Sequence, residues 1–158
     1  MAKKTFKIER TYRAAIDDVW DLWTTKDGIE SWWSPEGFVV KVRKLELRTG
    51  GFMDYAMIAM APEMIEFMKS ASAPTSTEHR LSFTEVLHNK RIAYSHLIDF
   101  VRGTKAYPVD MTVDFEVVGD EVRLTLTSDV MHDELWTGRA KLGWEQELGK
   151  LARVLAKR

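Results

Sequence analysis

The side chains with most to offer chemically are a histidine, two tyrosines and an arginine, set among six tryptophans and eight methionines. His96 alternates with Tyr94 and Ile98 in an apolar strand pattern, so its ring points to the same side as theirs. An inward imidazole beside a phenol supplies a hydrogen bond that orients a ligand. If Tyr55 and Tyr94 converge on it, the same groups make an acid–base site of hydrolase or cyclase type. Ordinary packing competes with both, because one hydrogen bond settles a buried histidine. His96 and Asp99 have opposite strand parity, so no metal site is expected and no residue is assigned as catalytic. His132 stands before a helix next to Asp133, where a cap with an exposed ring accounts for it, and His79 and His88 are expected in loops or at edges.

The tryptophans divide by position. Trp20 and Trp23 sit at helical spacing and are expected in the core. Trp33, before a Pro–Gly break, and Trp136, in the first turn of the last helix, stand where the mouth of a cavity would be. Trp144 is expected to face the sheet as core that also forms a cavity wall, and Arg139 reaches either solvent or that mouth as a carboxylate anchor. Met53, Met57, Met60, Met64 and Met68 place five of the eight methionines in one sixteen-residue stretch. Flexible thioethers suit changing apolar contacts, so Ala61 to Ser76, with Met64, Phe67 and Met68 on its closing face, is expected to be a mobile lid. A fixed satellite cluster is the alternative.

These residues must be held by elements, and the last element is the longest. From Asp133 to Lys157, Trp136, Ala140, Trp144, Leu148, Leu151 and Leu155 recur at the spacing of one helix face. Thr5 to Tyr12 alternates as a half-buried strand, and Ile16 to Trp23 and Thr25 to Trp33 form two short helices ended by Pro35 and Gly37. Phe38 to Leu47 changes parity near Arg43 to Leu45, which predicts a bulge, and Thr49-Gly50-Gly51 makes a tight turn. Phe52 to Met60 follows, with Met53, Tyr55 and Met57 inward. Strands at Leu81–Phe83 and Ile92–Ile98 come next, then a pair around Gly119-Asp120 that turns Met111 and Phe115 inward. A sheet apolar on one face is antiparallel and covered on that face, here by the last helix. The fold class is thus α+β, about six or seven antiparallel strands around a long C-terminal helix, with residues 1–158 forming one domain.

Composition narrows the function further. A net charge of −1 without a basic run argues against nucleic acid, and the absence of cysteine excludes thiol chemistry and suits a cytoplasmic location. No stretch approaches the ~20 apolar residues of a membrane span. Phosphate loops, dinucleotide fingerprints, nucleophile elbows and zinc-protease helices are all missing, and no cofactor is expected.

Trp32-Trp33-Ser34-Pro35-Glu36-Gly37-Phe38, Arg48-Thr49-Gly50-Gly51, Phe83-Thr84-Glu85-Val86 and Gly143-Trp144, in that order, resemble the heat-shock protein 90 ATPase activator homologue-like family. This family lies within the START-like or SRPBCC superfamily of helix-grip proteins that also holds the birch-pollen allergen. Ser34 and Thr49 stand where the family commonly has Gly and Pro, and Ala61 to Ser76 is longer than its usual turn. The resemblance implies a helix-grip fold whose members hold apolar molecules between sheet and helix, a few of them using the cavity for catalysis. The eukaryotic activator carries a further N-terminal domain that contributes to chaperone stimulation, whereas this chain begins at its first strand, so a chaperone partner is the remoter implication. The leading expectation is non-enzymatic binding of a small apolar or amphipathic molecule by Trp33, Tyr55, Met57, Met64, Phe67, Met68, Tyr94, His96, Met111, Phe115, Trp136, Arg139 and Trp144. The rivals are an enzyme working through His96 and a tyrosine, favoured if His96 lies within ~3 Å of another polar side chain, and a co-chaperone-like interaction module, favoured by a filled core. A homodimer is left open.

Overall fold

The computed structural model describes residues 3–158. In chain order the elements are β1 (Thr5–Tyr12), α1 (Ile16–Thr24), α2 (Lys26–Glu30), β2 (Phe38–Leu45), β3 (Phe52–Ala59), α3 (Pro62–Ser70), β4 (Ser76–Leu87), β5 (Arg91–Ile98), β6 (Tyr107–Val118), β7 (Glu121–Asp129) and α4 (Glu134–Leu155). The strands form one seven-stranded sheet in the order β1-β7-β6-β5-β4-β3-β2, and every neighbouring pair is antiparallel. From β2 to β7 it is a meander of hairpins. β1 lies at the far edge beside β7, so α1 and α2 carry the chain across to β2 at the other edge.

Period-two alternation decides which face is covered. In β6, Val109, Met111, Val113 and Phe115 are buried, while Asp110 and Glu116 are exposed. β7 answers with Val122, Leu124 and Leu126, none of them exposed at all. The parity change in β2 is a bulge between Val42 and Lys44. The Val42 N–H at this edge donates to the Glu30 carboxylate at 2.8 Å, so α2 supplies a partner that the missing next strand cannot. A second bulge, between Phe83 and Glu85 in β4, has no counterpart in the alternation read from the sequence.

The covering helix begins where Asp133 caps it, its carboxylate accepting from the Trp136 N–H at 2.8 Å. Its stripe is unevenly buried. Leu148, Leu151 and Leu155 are enclosed, whereas Trp136, Ala140 and Trp144 nearer the N-terminus are half-buried. The enclosed end approaches β1 and α1, and the Tyr12 hydroxyl donates to the Leu148 carbonyl at 3.1 Å. The other end spans the middle strands with room beneath it.

The excursion between β3 and β4 differs from expectation. Helix α3 does open at Pro62, but no residue of it is buried and Phe67 is 57% exposed. Met64 rests on Gly37, whose φ of +88° and lack of a Cβ leave the space that the Met64 side chain fills. β4 starts at Ser76, earlier than the apolar pattern implied. The Ala59 N–H already bonds to the Thr75 carbonyl at 2.8 Å, so the β3–β4 ladder resumes as soon as the loop allows.

Leu151 is fully enclosed and Leu142, on the same helix, is 57% exposed. Leu151→Ala is therefore expected to destabilise by ~2–5 kcal/mol and Leu142→Ala by less than ~0.5 kcal/mol, read from urea unfolding. Equal effects would disprove the docking of α4 described here.

Candidate functional site

Beneath the N-terminal half of α4 lies a cavity of about 290 Å³. Its floor is Tyr55 and Met57 of β3, Leu81 of β4, Tyr94, His96 and Ile98 of β5, and Met111 of β6. Its roof is Trp136, Arg139, Ala140, Gly143, Trp144 and Glu147 of α4, and Trp33, Pro35, Phe100 and Met131 close the sides. Phe100 and Arg139 are exposed and mark the open end, while Tyr55, Leu81, Tyr94 and Glu147 are buried at the closed end. Well-packed interiors contain few voids larger than a water, so an apolar space of this size is a built feature. It lies at the lower edge of the ~300–1,000 Å³ range of small-molecule pockets.

One wall is a stack of indoles. Trp23 lies parallel to Trp144 with centroids 6.2 Å apart, Trp33 meets Trp144 edge-on at 5.4 Å, and the Trp32 N–H is tied to the Leu22 carbonyl at 2.7 Å. Trp144 thus packs against the core with one face and lines the cavity as well. The loop carrying Pro35 is stapled to α4. Lys150 donates to Ser34 Oγ at 3.0 Å and to the Pro35 carbonyl at 3.2 Å, Gln146 accepts from the Glu36 N–H, and Arg153 pairs with Glu36 at 2.9 Å. A Cβ on Gly143 would only touch Pro35 at an ordinary 4.0 Å, so no close approach demands glycine there.

A chain of rings also runs from the closed end to the mouth. Tyr55 stacks on His79 at 5.2 Å, His79 meets Phe100 at 5.3 Å, Phe100 meets Trp136 at 6.2 Å, and Arg139 covers Trp136 at 5.1 Å. His79 is not a loop residue. It sits within β4, opposite Tyr55, where its ring nitrogens lie 2.7 Å from Thr77 Oγ1 and 3.2 Å from His96 Nε2. Burial holds His79 below the usual imidazole value and brings His96 down to about 4, with the neighbouring His79 adding to the latter shift, so both rings are neutral at pH 7. His88 does lie in a turn, edge-on to Trp20. His132 lies tilted against Trp136, its Nδ1 2.7 Å from the Tyr107 hydroxyl, and Asp133 is the cap.

The cavity gathers nine of the expected residues: Trp33, Tyr55, Met57, Tyr94, His96, Met111, Trp136, Arg139 and Trp144. Four lie outside its lining. Phe115 is directed instead against Trp20 and Trp23, at 5.5 and 5.8 Å, because the sheet's curvature carries this end of β6 under α1. Met64, Phe67 and Met68 stay with α3, which packs on the Gly37 loop rather than beneath α4. Phe100 and Glu147 were missed. Extending the Tyr94–His96–Ile98 parity by one step reaches Phe100, and Glu147 lies three residues after Trp144 and four before Leu151, a carboxylate within an apolar stripe.

Glu147 is the buried carboxyl of the site. It is 6% exposed, and burial raises its carboxyl to about 8, with Lys150 opposing the shift. The Tyr94 hydroxyl is enclosed without a hydrogen-bond partner, and burial raises it and the Tyr55 hydroxyl, with Glu147 contributing to both. Among the described residues no three His, Cys, Asp or Glu side chains gather as a metal site, and no helix is long and apolar enough to cross a membrane.

The profile of the family described as activator of Hsp90 ATPase homolog 1-like protein matches residues 13–156. The chain belongs to this family. Solved structures agree on the fold. A protein from Chromobacterium violaceum superposes with a TM-score of 0.79 at 22% identity, covering 96% of each chain. One from Staphylococcus epidermidis gives 0.74 at 23% identity over 99% of this chain and 92% of that one. An AHSA1 protein from Silicibacter pomeroyi gives 0.73 at 20% identity over 97% and 98%. No curated protein matches the chain in sequence. The α+β helix-grip architecture and the family resemblance read from the sequence are thereby established.

The raised carboxyl has a consequence for stability. The folded protein holds the Glu147 proton more tightly than the unfolded chain does, so stability falls as pH rises from the ordinary carboxyl value to about 8. His96, with its folded value lowered, works in the opposite sense, but only up to its unfolded value of 6.5, as does His79. Between pH 6.5 and 8 the carboxyl dominates, and unfolding in urea should show a loss of ~1–2 kcal/mol across that window. In Glu147→Gln the curve should be flat there; an unchanged slope in the variant would assign the pH dependence elsewhere.

Proposed function

We propose that this protein binds one small apolar or amphipathic molecule between the sheet and α4, without transforming it. The observation that carries the reading is the cavity: about 290 Å³ of space walled by aromatic and aliphatic side chains, closed at one end and open at the other. Filling it with a ligand restores the dispersion contacts that its lining lacks, whereas a domain serving only as a docking module has no need of such a void. Arg139 at the open end, in no ion pair among the described residues, is suited to a polar or anionic tail.

The His79–His96 contact supports a second reading, an enzyme in the same cavity. A 3.2 Å separation of ring nitrogens is the kind of polar contact that acid–base chemistry uses. It ranks second because both rings are held below the ordinary imidazole value, which makes them weak bases. The Thr77 hydroxyl at the end of the pair does nothing to strengthen them. The family description supports a third reading, a chaperone ATPase as partner, which ranks below the other two because it rests on the family alone.

Native mass spectrometry of protein purified from its own source is the direct test. A small molecule is expected to travel with the wild type, and to be depleted severalfold in Ala140→Phe, which places a ring in the roof of the cavity. Wild-type protein that carries nothing and takes up no added apolar probe would refute the binding reading.

A further inference from the structure

The walls of the cavity name its shape, and its closed end names a chemistry. Glu147, Tyr94 and Tyr55 are all buried there, on α4, β5 and β3 respectively, close enough that the carboxyl contributes to the raised value of both phenols. The Tyr94 oxygen has no hydrogen-bond partner. The Glu147 side chain makes no hydrogen bond and no ion pair among the described residues, although it lines the cavity. Buried polar groups are nearly always satisfied, and those that are not stand out as groups awaiting a partner.

What such a partner must be follows from the protons. With both phenols protonated and the carboxyl largely in its acid form at neutral pH, all three groups present O–H donors. The nearest cation, Lys150, favours the ionised carboxyl but spends its hydrogen bonds on Ser34 Oγ and the Pro35 carbonyl, and burial outweighs its pull. An ammonium ligand would have to be desolvated and would have to drive the carboxyl proton off as well. A carboxylate ligand belongs at the mouth with Arg139, the cation that lines the open end. The group that fits an apolar chamber ending in donors is a neutral acceptor.

We infer that the ligand is a largely apolar molecule with an uncharged carbonyl oxygen at its buried end, and that Glu147 is the residue that holds this oxygen, with Tyr94 beside it. The inference rests on the binding reading above and adds which end of the ligand enters first. An apolar body of about two fused rings is the size the remaining space accommodates.

Three matched probes decide the matter: 2-acetylnaphthalene, 2-ethylnaphthalene and 2-(aminomethyl)naphthalene, titrated by calorimetry or by quenching of the indoles. At pH 6.5 the ketone should bind about tenfold more tightly than the hydrocarbon and more tightly than the amine. Glu147→Leu should bring ketone and hydrocarbon together. Glu147→Gln, which keeps an N–H donor, should retain most of the preference. Raising the pH to 9 should erode the ketone's advantage in the wild type and not in Glu147→Gln. Tyr55 and Tyr94 stay protonated and His96 stays neutral across this range, and His79, Arg139 and Lys150 are common to both proteins. Equal binding of ketone and hydrocarbon, or preference for the amine, would overturn the carbonyl assignment while leaving the binding reading intact. If none of the three bound, both would fall. Glu147→Gln also serves as the folded control should Glu147→Leu disturb packing.

Discussion

The cavity between sheet and helix depends on α4 being docked at one end only. Leu148, Leu151 and Leu155 are sunk against β1 and α1, with the Tyr12 hydroxyl bonded to the helix backbone, and this anchorage sets the height and direction of the whole element. The other end of this 22-residue helix runs on over the middle strands, where its stripe is only half-buried. The space beneath it lies under Trp136, Ala140 and Trp144. It stays open because the side chains that would fill it are committed elsewhere: Trp144 to Trp23 and Trp33, and Pro35 to a loop held by Lys150, Gln146 and Arg153.

Polar groups are distributed in a way that separates scaffold from site. Outside, carboxylates are paired across strands, as with Arg80 on Asp54 at 2.6 Å and Arg91 on Asp114 at 2.7 Å, exposed contacts of modest energy that fix register. Inside, Glu147 has no such partner. Removing a carboxyl from water disfavours its charged form, so the fold tolerates Glu147 by keeping its proton on. A leucine would serve packing better at this position of the stripe. That a carboxyl stands there, in a chamber otherwise lined by rings and methionines, is the kind of local inconsistency that functional sites show.

The elements were legible in the sequence because the strand period of about 2 and the helix period of about 3.6 are written in residue type, and both the β2 bulge and the Asp133 helix start announce themselves locally. It carried the cavity less evenly. Parity places a side chain on a face but says nothing about where along a curved strand that face is covered by α1 and where by α4. That is why Phe115 and Met111, four residues apart on one face, part company. The methionine run drew Met64, Phe67 and Met68 into the site by composition, whereas Gly37 provides α3 with a seat on the loop outside it. His79 was obscured because β4 begins among Ser, Thr and Glu residues that read as loop. Its strand character comes from pairing with β3, a tertiary effect that no window of sequence contains.

This division between pattern and particular residues explains how the family tolerates so much change. Structures at 20–23% identity superpose on this chain over nearly its full length. Alternation and a helical stripe are satisfied by many apolar residues, and swaps among them cost little so long as volume is kept. A cavity is less forgiving in one respect and freer in another. Its existence needs only the one-ended docking of α4, which the pattern supplies, but its chemistry rests on a few positions such as Glu147, Tyr94, His96 and Arg139 that the pattern does not constrain. Family membership therefore transfers the fold and not an occupant, and on the binding proposed above the residues at the chamber's closed end are where specificity would be set.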